Sequence, residues 1–116
     1  MSKSAQDFLS EANSMVPSIA MAEALSLINS GKAVVIDVRD GKEIDQSGTV
    51  KNALRIPRGM SEFVADPTTS FYNDQISNDK EILVLCGAGG MAALTGKTLM
   101  EMGYTNVHNV GGFSAG

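Results

Sequence analysis

One cysteine, Cys86, occurs in 116 residues, so no internal disulfide can form and a reducing, cytoplasmic setting is expected. No apolar run approaches the ~18 residues of a membrane helix. Residues 1–15 are polar and helix-like, without the apolar core of a secretory signal. Basic clusters are absent too: nine Lys and Arg against thirteen Asp and Glu leave a net charge of -4, which repels nucleic acid. With a single histidine and a single cysteine there is no cluster at metal-ligand spacing, so no metal is expected. Repeats and low-complexity tracts do not occur. What is present, 43% apolar residues in a chain of this length, suits one domain with one core.

Apolar periodicity and turn residues divide the chain. Residues 4–14 read as a short helix, with Phe8, Leu9, Ala12 and Met15 on one side, docked on the body. Pro17 separates this 1–17 extension from a domain over 18–116. Ser18 is a good N-cap for a second helix carrying Ala22, Leu25 and Ile28, and Gly31 stops it. Residues 33–38 are a continuously apolar, β-branched run, the mark of a strand covered on both faces. One or two helical turns fit 41–46, a short strand 53–56 and another short helix 60–65. The polar stretch 66–80 reads as a long surface connection. A second apolar strand spans 81–85, and the clearest helix spans 91–102, with Ala92, Thr95, Leu99 and Met102 on one stripe. Gly103 ends it and a third strand spans 106–110. Alternating strands and helices predict an α/β fold with a mostly parallel central sheet flanked by helices. Sites in such sheets lie beyond the carboxyl ends of the strands, where Cys86, Arg39, Arg58 and Gly111 fall.

The turn after Cys86 carries the chemistry. Leu83-Val84-Leu85-Cys86 runs into Gly87-Ala88-Gly89-Gly90-Met91-Ala92, a glycine-rich turn that opens a helix. A phosphate-binding loop would end in Gly-Lys-Ser/Thr, and Met91-Ala92-Ala93 does not. A dinucleotide fingerprint would need a third glycine where Ala92 stands, and an acidic residue about twenty positions on where the chain reads Thr105-Asn106-Val107-His108. Cysteine phosphatases place an arginine six residues after the nucleophile, and position 92 is alanine. The remaining reading is a cysteine cradle: turn amides and a helix N-terminus both favour thiolate. A lone cysteine commonly serves as a small apolar residue, but such a residue does not need three glycines in the four positions that follow.

Several pieces in order resemble the rhodanese family over nearly the whole chain. Val35-Ile36-Asp37-Val38-Arg39 is similar to its first strand and D-V-R signature. Gly48-Thr49-Val50 with Asn52-Ala53-Leu54-Arg55-Ile56-Pro57 resembles its G-H-I-x-G-A-x-x-I-P segment. Leu83-Val84-Leu85-Cys86 resembles its active-site strand, and Met102-Gly103-Tyr104, Asn106-Val107 and Val110-Gly111-Gly112-Phe113 its closing pieces. The resemblance implies a compact rhodanese-like domain and sulfur transfer. Cys86 would take a sulfane sulfur from a donor such as thiosulfate, hold it as a persulfide, and pass it to cyanide or a thiol, without a cofactor. Gly87, Ala88, Gly89, Gly90, Met91 and Ala92 would bind the charged sulfur through their amides. Arg58 is the best candidate for a cation near the donor; Arg39 either reaches the site or ties the strand end to a carboxylate such as Glu43.

Four departures qualify the match. Gly87 stands where a basic residue often follows the cysteine, Met91 where the loop usually ends in arginine, and Thr49 where the family has histidine. The helix that normally follows G-G-F is absent, so truncation after Gly116 is expected. Partners are therefore a small sulfur donor and a thiol acceptor, with weak thiosulfate activity; neither nucleic acid nor membrane is among them, and the oligomeric state stays open. The alternative is a non-enzymatic persulfide relay or interaction module on the same fold. His108 is read as a half-exposed strand residue rather than a partner of Cys86.

Overall fold

Two aliphatic runs form the middle of the sheet, and their surroundings explain why each is apolar throughout. In the computed structural model, which describes residues 2–87 and 90–112, β1 (Ala33–Asp37) and β3 (Glu81–Cys86) lie side by side and parallel, with Val35 opposite Leu83. β2 (Leu54–Arg55) pairs with the free side of β1, and β4 (Val107–Gly112) with the free side of β3. The order is β2-β1-β3-β4 and every pair is parallel. Successive side chains of a strand face opposite ways. Accordingly Val34, Ile36, Ile82, Val84 and Cys86 join one buried cluster with Leu99 and Val107, while Val35, Leu83 and Leu85 join another with Ala24. A sheet buried on both faces requires apolar residues at every position.

Helix α2 (Met21–Asn29) covers the Val35 face. The other face holds α5 (Gly90–Glu101), with the short α4 (Ser61–Val64) beside it after a 3-10 turn at Arg58–Met60. α3 (Gly41–Ser47) follows β1, capped by the Asp40 carboxylate accepting from the Lys42 N–H at 2.8 Å. Residues 66–80 run over the surface, pinned by the buried Ile76. Met102, expected on the buried stripe of α5, is exposed. The helix has already ended, and Gly103, at φ +106, turns the chain away.

Helix α1 (Ala5–Met15) docks on α5 as expected. Its start is fixed by a capping box: Ser4 accepts from the Asp7 N–H at 3.1 Å, and Asp7 accepts from the Ser4 N–H at 2.9 Å. Ala12 is buried at the contact, while Phe8 and Met15 stay exposed, so the small residue rather than the large ones makes the seat. Close approach depends on Gly96 of α5, where a Cβ would stand 2.9 Å from Val16 Cγ1.

Ser18 does not cap α2. The cap is Ala20, which offers no side-chain hydrogen bond, and Ser18 instead forms a parallel bridge with Asn109 of β4. Ile19 N–H donates to Asn109 O at 3.1 Å, and Asn109 N–H donates to Pro17 O at 2.8 Å. Pairing these backbone groups against β4 wins over one capping bond worth about 1 kcal/mol.

The Gly96 contact yields a prediction in which two effects oppose each other. Alanine is the better helix former by about 1 kcal/mol, but overpacking a tight contact costs about 1–3 kcal/mol. Val16 is short and branched and cannot swing aside, so the clash wins: Gly96→Ala lowers the midpoint of thermal unfolding. Circular dichroism melts check this, and a midpoint unchanged or raised would contradict the packing described.

Candidate functional site

β3 delivers Cys86 to the carboxyl end of the sheet as its last residue, next to the first turn of α5. The residue is 1% exposed and belongs to the core cluster on the α5 side. Its sulfur accepts a hydrogen bond from the Ala92 N–H at 3.4 Å. Ala92 is the third residue of α5, where backbone N–H groups have no partner within the helix and the dipole presents its positive end. The positive end of α5 thus faces Sγ. Among the other cradle residues, Gly90 starts the helix and Met91 points outward, 40% exposed. Ala88 and Gly89 lie outside the described residues.

A buried ion pair stands behind the sulfur. Arg39 is 3% exposed and Asp37 is 0% exposed. Arg39 donates to Asp37 through Nε, at 3.0 Å to Oδ1, and through Nη2, at 2.8 Å to Oδ2. Its remaining donors reach Ser47 Oγ at 2.7 Å and Gly48 O at 2.8 Å. Thr49 Oγ1 donates to Asp37 Oδ2 at 2.6 Å. Burial pushes the Asp37 carboxyl up, but the Arg39 and Thr49 hydrogen bonds outweigh it and hold the group below its ordinary value. Arg39 is held above its ordinary value, first by the Asp37 hydrogen bond; Glu43 and Cys86 add to this through their charge. The carboxylate that Arg39 grips is thus Asp37 rather than Glu43.

Glu43 occupies a different place. Its Oε2 would be 3.0 Å from a Cβ built on Gly87, so a carboxylate lies directly over the residue that follows the cysteine. Among the described residues it makes no side-chain hydrogen bond or ion pair. Arg58 points elsewhere: it donates to Thr98 Oγ1 at 3.3 Å and pairs with Glu62 at 3.5 Å. Thr98 is eight residues into α5, about 12 Å along its axis from Gly90. His108 sits across from Leu83, its Nε2 3.7 Å from Glu81 Oε1. The structure therefore brings Arg39, Glu43 and the Ala92 amide to Cys86, and places Arg58 and His108 with other partners. Thr49 and Glu43 were not singled out in sequence for these positions. The signal for Thr49 was its place in the segment that resembles G-H-I, where its hydroxyl supplies a donor to Asp37.

Known proteins resemble this chain in sequence and in fold. The family model described as a rhodanese-like domain matches residues 20–116. The adenylyltransferase and sulfurtransferase UBA4 of Candida albicans is 32% identical over 82 residues, 71% of this chain but only 18% of that protein. The chain thus spans less than a fifth of that relative. The human thiosulfate:glutathione sulfurtransferase is 26% identical over 102 residues, covering 83% of this chain and 88% of the relative. A solved structure from Rhodopseudomonas palustris, a protein of unknown function described as a possible tyrosine phosphatase, superposes with a TM-score of 0.89 at 34% identity. It covers 99% of this chain and 89% of its own.

The ion pair generates a prediction with a defined sign. A carboxyl more acidic folded than unfolded stabilises fully above its unfolded value, near 3.8 for Asp37, and loses that contribution as pH falls through the lower folded value. Asp37→Asn leaves the Arg39 charge buried and unmatched, a loss of about 3–5 kcal/mol. Urea unfolding should find the variant strongly destabilised at pH 7, with the difference from the parent narrowing below pH 4. A constant difference down to pH 2 would contradict the assignment.

Proposed function

This chain belongs to the rhodanese-like domain family, and we propose that it is a sulfurtransferase in which Cys86 carries the transferred sulfur. The observation that supports this most is the Ala92 N–H at the head of α5 directed at Sγ. A cysteine serving only as core filler gains nothing from that amide, whereas a sulfur that becomes negative, or holds a persulfide, does.

The reaction has two steps. The Cys86 thiolate attacks the sulfane sulfur of a donor such as thiosulfate. A sulfur–sulfur bond forms to Sγ, the donor's own sulfur–sulfur bond breaks, and sulfite leaves with the electron pair. An acceptor, cyanide or a thiolate, then attacks the outer sulfur, and the pair returns to Sγ. Charge and electrons balance without an outside oxidant. The Ala92 amide and Arg39 stabilise negative charge at both stages, and no general base is needed if the nucleophile is already ionised. The chemistry suits a lone cysteine in a reducing compartment such as the cytoplasm.

Phosphoryl transfer fits this turn less well. It calls for a bidentate arginine at the end of the loop, and residues 86–94 include none. Thiosulfate is also poorly served. Gly87 and Met91 bring no cation, and the nearest free charge to Gly87 described above is the Glu43 carboxylate. A second reading, a persulfide relay with little turnover, draws on that same shortage of positive charge.

Intact mass spectrometry after incubation with thiosulfate tests the assignment. The parent chain gains one sulfur, Cys86→Ala gains none, and cyanide then releases thiocyanate. Sulfur gained without thiocyanate would favour the relay; no sulfur gained would overturn both readings.

Charge at the loop generates a further prediction. One charge-assisted hydrogen bond is worth about 1.5–3 kcal/mol, so Met91→Arg lowers the thiosulfate KM by about ten- to a hundredfold. Glu43→Gln, which removes a repulsion without adding a bond, lowers it by a smaller factor, and the gain shrinks as salt is added. Steady-state kinetics at two ionic strengths decide the matter; unchanged constants in both variants would contradict the account of the loop.

A further inference from the structure

At the end of the sheet opposite Cys86, half of one side of β1 is left open. Parallel strands bond to each neighbour through alternate residues. Lys32 O accepts from the Glu81 N–H at 2.9 Å and the Val38 N–H donates to Leu85 O at 3.0 Å, so even-numbered residues of β1 address β3. Odd-numbered ones address the other side, where the Ile56 N–H donates to Asp37 O at 3.0 Å. On that side β2 pairs only with Ile36 and Asp37. Two residues before Leu54, Asn52 stands at φ 66, in the left-handed region, and the strand does not continue through it. Ala33 C=O and Val35 N–H therefore face a side with no strand, and among the described residues neither has a hydrogen-bond partner. A cleft of about 430 Å³ lies along this open half, lined by Ala33, Val34 and Val35. Ile28 and Leu54 add apolar surface, two exposed lysines, Lys51 and Lys80, stand at its border, and no carboxylate lines it.

We propose that this cleft binds an extended acidic peptide segment of a partner protein, which adds to the sheet in line with β2. The backbone sets the geometry. A parallel strand carried on below Leu54 would place one residue with its N–H on Ala33 O and its C=O on the Val35 N–H. That repeats, two positions earlier along β1, the pairing that Leu54 makes with Ile36. Main-chain groups beside a core are costly to leave unpaired, and an added strand meets them. Charge sets the identity of the peptide. Neither lysine forms an ion pair among the described residues. In a chain of net charge -4, two lysines without a lining carboxylate select carboxylate side chains and reject basic ones. The slot is independent of the sulfur chemistry, and its distance from the cysteine leaves both ends of the domain free to act at once.

The intact chain, labelled with ¹⁵N, is titrated with N-acetyl-Glu-Val-Val-Glu-amide, and with N-acetyl-Lys-Val-Val-Lys-amide as the charge-reversed control. The acidic peptide should give saturable shifts at Ala33, Val35 and Leu54 and slow hydrogen exchange at the Val35 N–H, which gains a partner. The basic peptide should do neither. Lys51 and Lys80 are exposed, so the double variant Lys51→Glu, Lys80→Glu keeps the fold. It should weaken acidic-peptide binding by about fivefold or more, with the difference shrinking as salt is added, while sulfur uptake by Cys86 is unchanged. Shifts absent or elsewhere, equal binding of both peptides, or an unaltered affinity in the double variant would each overturn the proposal. Inorganic phosphate slowing the Val35 amide as well as the peptide does would reduce the site to an anion site and overturn it. The same shifts appearing without peptide as protein concentration rises would assign the slot to a second copy of this chain, and would overturn it too.

Discussion

The bond between Arg39 and Asp37 is the interaction on which the working end of this domain depends. A guanidinium and a carboxylate are both removed from water, which is tolerable only because every polar edge is matched. Asp37 is met by Arg39 and Thr49, and Arg39 by Asp37, Ser47 and Gly48. Four points of chain are thereby locked together: the end of β1, the end of α3, the turn after it and the residue that begins the next segment. Cys86 lies within electrostatic reach of this locked base. The geometry of the fixed positive charge is already settled by these bonds.

The central sheet supplies the other half of that preorganisation. β3 is bracketed by β1 and β4 and buried on both faces, so the position of its last residue is set by two ladders and two layers of side chains. α5 begins four residues after that strand ends, and its packing on β3 and β4 fixes where its first amides point. A sulfur at the tip of a rigid strand and a dipole at the head of a rigid helix need no side-chain cation between them to interact. Positions 87 and 91 add no cation of their own.

Much of this was legible in the sequence, for identifiable reasons. The two aliphatic runs, the glycine at 31 and the alternation of elements follow local rules of period and backbone freedom, so β1, β3, α2 and α5 come close to their expected limits. The D-V-R and G-H-I-like segments carry Asp37, Arg39 and Thr49, which the fold joins by hydrogen bonds. What local rules do not carry is a partner chosen across the fold. Ser18 has the chemistry of a cap, yet the backbone around it pairs with β4 because tertiary contact places that strand within reach. Arg39 sits four residues from Glu43 and two from Asp37, and spacing alone does not say which carboxylate shares its burial. Arg58 and Thr98 lie forty residues apart, and no period or motif joins them.

The bridge between Ser18 and Asn109 has a consequence for how copies of this chain behave toward one another. β4 is an outer strand, and an outer strand's unpaired amides and carbonyls invite another molecule to extend the sheet. The 17–19 segment fills two of those bonding positions and leads back to α1, which packs on α5. The seal is short, so it must act by obstruction rather than by full pairing: an incoming strand would first have to peel away the leading segment. Guarding against runaway self-association thus falls to the segment that joins α1 to α2.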